Sequence, residues 1–161
     1  MGNRNPPSTG NKRVVHDASV PFLEIILDAD PFRVREALNK VISKITPMVV
    51  FKERIADLEL VLAEVINNIV EHAYSVDKYG DIELRIWVKE QEVRCVLMDA
   101  GNPIPNCLDY SVDQPEIGTD ITALPEGGFG RFIVQSLTKN LQYKRASGKN
   151  LVSFDMELAD A

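Results

Sequence analysis

The chain has 161 residues, 45% hydrophobic and 26% charged, with 24 acidic against 18 basic side chains and a formal net charge of −6. Its length fits one domain with a core of its own, its composition excludes disordered and fibrous classes, and its acidity argues against duplex nucleic acid, whose affinity for proteins comes from Lys and Arg replacing counterions along phosphates. Two cysteines (Cys95, Cys107) and two histidines in no ligand spacing suggest neither a disulfide framework nor a zinc site and fit a reducing cytoplasm.

Residues 1–19 are rich in Asn, Pro, Gly and Ser, the composition of a flexible tail, and the domain is expected over 20–161. Met1 to Asn11 lacks the apolar centre of a signal peptide, and Pro6 stands where a myristoylation pattern wants Ser or Thr. No apolar run approaches the ~20 residues of a membrane span. Phe22 to Leu27 reads as a strand. Asp30-Pro31 then offers an N-cap and a first-turn proline, and Val34, Leu38, Val41, Ile42 and Ile45 recur at helical spacing until Pro47. A second helix covers about Lys52 to Tyr74, with a core stripe of Ile55, Leu58, Leu62, Ile66, Ile69 and Ala73.

After Gly80 the period falls to two. Ile82, Leu84, Ile86 and Val88 alternate with Glu83, Arg85, Trp87 and Lys89, and Glu90-Gln91-Glu92 turns tightly into a second strand, Val93 to Met98. Residues 100–126 carry four prolines and no sustained periodicity, a length that in a compact domain often marks a functional lid. Gly127-Gly128-Phe129-Gly130 opens a helix from Arg131 to about Lys139, and strands Leu141 to Arg145 and Leu151 to Leu158 close the chain around a Ser147-Gly148 turn. The order β α α β β lid α β β predicts an α+β two-layer sandwich with a mixed, mostly antiparallel sheet.

Three clusters carry chemistry. Glu64 and Asn68 lie one turn apart on the second helix, roughly 40° apart around its axis, on the side opposite Leu62, Ile66 and Ile69. They supply a carboxylate able to act as a general base and an amide oxygen able to bind a hard cation. Alone, such a stripe is more often a solvated face, but Asn67-Asn68 in mid-helix costs propensity, a kind of local rule-breaking that gathers at functional sites. Asp99-Ala100-Gly101 follows a strand end, where a carboxylate can accept from the exocyclic amine of adenine while glycine lets a flat ring approach the backbone. Gly127, Gly128 and Gly130 at a helix start can present converging amides to phosphates. Each of the last two patterns alone is commonly just a turn or a cap, and neither GxxxxGK[ST] nor a strand-GxGxxG-helix unit occurs.

Together and in this order, the clusters resemble the Bergerat-type (GHKL) ATP-binding fold shared by gyrase, histidine kinases and the MutL mismatch-repair protein. The chain is most similar to the stand-alone anti-sigma factor serine/threonine kinases, over about residues 20–158. The resemblance implies Glu64 as general base and Asn68 as Mg²⁺ ligand within Glu64–Tyr74, and Asp99 with Gly101 at the adenine. It further implies Gly127, Gly128 and Gly130, with Arg131 beside them, around the ATP phosphates; Arg131, where relatives usually carry Leu or Phe, contacts phosphate or faces solvent. Pro103 stands where many relatives have a second glycine, and His72, shared with the family, reads as a packed residue at a helix end.

The implied activity is phosphorylation of a serine on a STAS-domain anti-sigma antagonist, with a sigma factor as second partner, a homodimer as the common assembly, and no direct nucleic-acid or membrane contact. The alternative is a nucleotide-gated module that sequesters a partner without phosphorylating it. Residues 1–19 hold three bases and one acid, so the rest carries −8. Residues 102–126 hold five acids and no base, and 127–154 five bases and no acid, a polarity that puts the phosphate side on the second segment.

Overall fold

The computed structural model describes residues 19–49, 52–74, 79–104 and 128–159. Residues 1–18 of the expected tail, Cys107, Gly127 and all but the first residues of the expected lid lie outside the described residues.

The chain opens with β1 (Leu23–Asp28) and turns into α1 (Pro31–Ile45). Asp30 caps α1 as its sequence position predicts, accepting a hydrogen bond from the Phe32 amide, and Pro31 occupies the first turn, where no amide hydrogen is needed. A short 3-10 turn at Thr46–Met48 forms where Pro47 ends the helical pattern. Helix α2 (Lys52–Ala73) buries the whole expected stripe from Ile55 to Ala73, together with Val61, Val65 and Val70.

Strands β2 (Asp81–Lys89) and β3 (Glu92–Asp99) form the predicted hairpin, with Glu90 in the left-handed region at φ 53°. Helix α3 (Gly128–Leu137) starts three residues before the expected Arg131, so Gly128 and Gly130 belong to its first turn and are not a separate loop. Strands β4 (Lys139–Ala146) and β5 (Lys149–Glu157) end the fold. Ser147 and Gly148 between them both have positive φ, 51° and 78°, the pair required by the two-residue turn that matches the twist of a hairpin.

The sheet order is β1-β2-β3-β5-β4, and among the described residues every pairing is antiparallel, where a mixed, mostly antiparallel sheet is expected. The physical reason lies in the β3-α3-β4 crossover. It does bring β4 back parallel to β3, but β5 inserts between them and converts one parallel contact into two antiparallel ones. Helix α2 lies between α1 and α3, and the apolar helix faces meet the inward phase of the strands in one cluster. Phe154, Leu58, Leu62, Ile66, Ile82, Leu84, Ile86 and Leu97 are among its fully buried members.

At the far end of the sheet Lys139 Nζ donates to Glu157 Oε1 across β4 and β5. That hydrogen bond and the ammonium charge hold the Glu157 carboxyl below its ordinary value. A depressed carboxyl stabilises the fold above the pKa it has in the unfolded chain and stops doing so as pH falls through its folded value. Glu157→Gln is therefore expected to lower the thermal midpoint slightly at neutral pH. The gap to wild type should close as the pH drops below the ordinary carboxylate range; calorimetry showing a gap that widens in acid would contradict this.

Candidate functional site

The alternation of β3 and β5 sets up the site. Val93, Cys95 and Leu97 point into the core, and so, in the same phase, does Asp99. Val152, Phe154 and Met156 point into the core, and so does Asn150. The register sets Asp99 directly opposite Asn150. One end of the sheet's core face is thus polar, with Asp99 only 4% and Asn150 0% exposed. Burying an ionisable carboxyl is costly unless hydrogen bonds compensate, and here they do: Asp99 Oδ1 accepts from the Gly101 amide at 2.8 Å and from Asn150 Nδ2 at 2.8 Å. The other oxygen, Oδ2, is also shut off from solvent.

The C-terminal end of α2 closes over this corner. The Asn102 amide donates to the Ala73 carbonyl at 2.7 Å, so the turn after Asp99 is strapped to the last residue of the helix. Gly101 sits so close that a Cβ there would lie 2.5 Å from the Ala73 carbonyl oxygen and 2.7 Å from its Cβ. Tyr74 follows at once, its ring against Gly80 and its hydroxyl donating to the Asp81 carbonyl at 3.2 Å. Burial, and then the nearby Asp99 charge, push the Tyr74 phenol up.

Further back along α2, Glu64 and Asn68 are half-buried and not the solvated stripe that an isolated amphipathic helix would show, because α3 packs beside them. The Glu64 carboxylate lies against the first turn of α3: a Cβ on Gly130 would overlap Oε2 and come within 2.8 Å of Cδ. The absence of a side chain at Gly130 is what lets the helix start approach the carboxylate. Arg131 is half-buried in the same turn. His72 is half-buried in the last turn of α2, its Nε2 3.9 Å from Glu71 Oε2.

The predicted residues therefore form two groups strung along one helix. Asp99 and Gly101 gather at Ala73, while Glu64 meets Gly130 two to three turns earlier along α2, with Asn68 between the two groups in sequence and Arg131 following Gly130 in α3. Gly127 lies outside the described residues. Among the described residues no group of three or more His, Cys, Asp or Glu could hold a metal ion. The donors present are the Asn68 amide oxygen and the neighbouring Glu64 carboxylate. That sparse set fits Mg²⁺, which keeps several waters and draws other ligands from substrate phosphates.

Sequence reasoning missed Tyr143, Arg145 and Asn150. Tyr143 donates to Asn150 Oδ1 at 2.9 Å, Arg145 Nη1 donates to the same oxygen at 2.6 Å and to the Gly101 carbonyl at 3.1 Å, and Asn150 Nδ2 also reaches the Asn102 carbonyl at 2.8 Å. A signal did exist. Asn150 is a polar residue in phase with Val152, Phe154 and Met156, a departure from the strand's binary pattern that marks a partnered or functional position.

A family model described as the histidine kinase-like ATPase domain matches residues 27–156, and the chain belongs to that family. The five-stranded antiparallel sheet under three helices found among the described residues agrees with the fold of that class. Among curated relatives, the serine-protein kinase RsbW of Bacillus subtilis is 28% identical over 101 residues, which cover 60% of this chain and 61% of that protein. RsbW of Bacillus velezensis is 27% identical over 138 residues, covering 81% and 82%. The match to the Bacillus subtilis relative thus reaches about three-fifths of its length. Among solved structures, the RsbU and RsbW domains of Rv1364c from Mycobacterium tuberculosis share the fold with a TM-score of 0.59 at 18% identity, over 86% of this chain and 33% of that one. No helix among the described residues is long and apolar enough to cross a membrane.

Proposed function

We propose that the chain is an ATP-dependent protein serine kinase of the anti-sigma type, which phosphorylates a STAS-domain anti-sigma antagonist and binds a sigma factor as its other partner. The observation that carries this reading is the division of the site along α2. Ala73, which anchors the Asp99 corner, and Glu64, which meets α3, are nine residues apart, about 14 Å along the axis, a span suited to a nucleotide lying from base to terminal phosphate. The curated relatives are named serine-protein kinases, which supports the same conclusion.

Asp99 receives the exocyclic amine of adenine, its carboxylate held by Gly101 and Asn150. Guanine offers an acceptor at that place and is repelled. The N-terminal amides of α3 and the positive end of its dipole hold phosphate oxygens, with Arg131 and Gly127 alongside. Mg²⁺, when bound with the triphosphate through Asn68, neutralises phosphate charge. Glu64 accepts the proton of the incoming serine hydroxyl as its oxygen bonds to the γ-phosphorus. The bond from that phosphorus to the β,γ-bridging oxygen breaks, and ADP leaves. Phosphoryl transfer rests mainly on positioning and charge stabilisation, so this small set of groups suffices.

The reading makes the chain a soluble cytoplasmic regulator that works as a homodimer. Sedimentation of the purified protein is expected to give twice the chain mass. In a thermal-shift assay Mg-ADP should stabilise the wild type and Mg-GDP should not, and Asp99→Asn should lose the response to Mg-ADP. Incubation with Mg-ATP and a cognate antagonist should yield phosphoserine on the antagonist and an equal amount of ADP. Nucleotide binding without phosphoserine would refute the kinase and favour the partner-sequestering alternative; equal stabilisation by both diphosphates would refute the role of Asp99.

A further inference from the structure

The Asp99 corner rests on a relay of hydrogen bonds from β4, a strand to which neither the sequence motifs nor the proposed mechanism gives a role. Asn150 at its centre uses its full capacity: two bonds accepted at Oδ1 and two donated from Nδ2. An amide has two orientations differing by a half-turn, and only one serves Asp99. With Nδ2 toward the carboxylate the contact is a hydrogen bond; with Oδ1 there it is a repulsion between acceptors.

Two residues on β4 select the first orientation. Arg145 can only donate, so the atom facing its Nη1 must be the Asn150 oxygen. Tyr143 has its hydroxyl oxygen occupied by the Ile104 amide at 3.1 Å, so its proton is left for Asn150 Oδ1. Both constraints fall on the same oxygen and turn Nδ2 toward Asp99 Oδ1 and the Asn102 carbonyl. Arg145 also holds the Gly101 carbonyl, and Tyr143 the Ile104 amide, so the turn from Asp99 to Ile104 is pinned at both ends.

We infer that Tyr143 and Arg145 are positioning residues for base recognition: by fixing the Asn150 amide they set which oxygen of Asp99 faces the nucleobase, and so the preference for adenine over guanine. The inference rests on the adenine reading of Asp99 given above. It predicts a change in the ratio of affinities, not merely in affinity. A side chain that only touched phosphate would weaken ADP and GDP alike.

The test measures Mg-ADP and Mg-GDP dissociation constants by titration calorimetry for wild type, Tyr143→Phe, Arg145→Ala and Arg145→Lys, with amide hydrogen exchange of each protein free of nucleotide. Tyr143→Phe and Arg145→Ala should each cut the ADP-over-GDP preference by about fivefold to tenfold, the worth of one buried hydrogen bond. Arg145→Lys, still a pure donor, should keep most of it. The Gly101 and Asn102 amides should exchange faster in the first two variants. An unchanged ratio in both, or equal loss of ADP and GDP binding, overturns the inference. If the wild type itself shows no preference, the adenine reading fails instead; exchange rates at Gly101 and Asn102 then decide whether β4 positions the turn, and unchanged rates overturn that too.

Discussion

Gly101→Ala should lower unfolding stability by about 1–3 kcal/mol, the usual cost of forcing a methyl into a packed site, and abolish Mg-ADP binding. The new Cβ would meet the Ala73 carbonyl oxygen at 2.5 Å, and the atoms in its way are the backbone and Cβ of a buried helical residue. Relief requires the Asp99 turn to move away from α2. That movement breaks the bond from the Asn102 amide to Ala73 and pulls the Gly101 amide from Asp99 Oδ1. Urea denaturation and calorimetric titration read the two effects separately. Wild-type stability together with wild-type affinity would show that the approach of Gly101 to Ala73 has no energetic weight.

The second large effect belongs to Glu64. Glu64→Gln keeps shape and polarity but cannot take a proton, so phosphate transfer to the antagonist should fall by roughly 10²–10⁴-fold with nucleotide affinity little changed. Gly130→Ala should mimic it by another route. There the obstructing atoms are the end of a flexible side chain, so the fold accommodates the methyl by swinging the Glu64 carboxylate aside. Thermal stability stays near wild type while the single-turnover rate drops. Because both changes act on one carboxylate, the double variant should be no slower than the worse single one. Additive losses would mean that Gly130 serves the phosphates independently of Glu64.

The two variants also show what the sequence could and could not reveal. Periodicity exposed α1, α2 and both hairpins, because a helix or strand with one buried face must repeat its apolar residues at 3.6 or 2. Asp99 and Glu64 stood out as acids at a strand end and on a helix face. Pairings between distant segments left no such trace. That β5 would separate β3 from β4, and so set Asn150 opposite Asp99, depends on tertiary packing. The sequence pattern places the start of α3 three residues late because glycine has poor helix propensity, and Gly130 is tolerated in the first turn for its approach to Glu64. The role of Arg145 was hidden because an exposed arginine on an edge strand is ordinary until its donors are traced.

The antiparallel seam between β3 and β5 also bears on how the domain assembles. Its hairpins β2–β3 and β4–β5 join neighbouring segments, whereas Asp99 and Asn150 are separated by 51 positions and Gly101 and Arg145 by 44. Such long closures lose chain entropy before they gain contacts, and they slow folding. The Asp99 corner is complete only when the C-terminal hairpin is docked on β3, and on the proposed adenine reading a nucleotide bridging it would work as a latch. By mass action, nucleotide raises the free energy of undocking that hairpin along with that of global unfolding, so cellular ATP would act on the lifetime of the protein as well as on its chemistry.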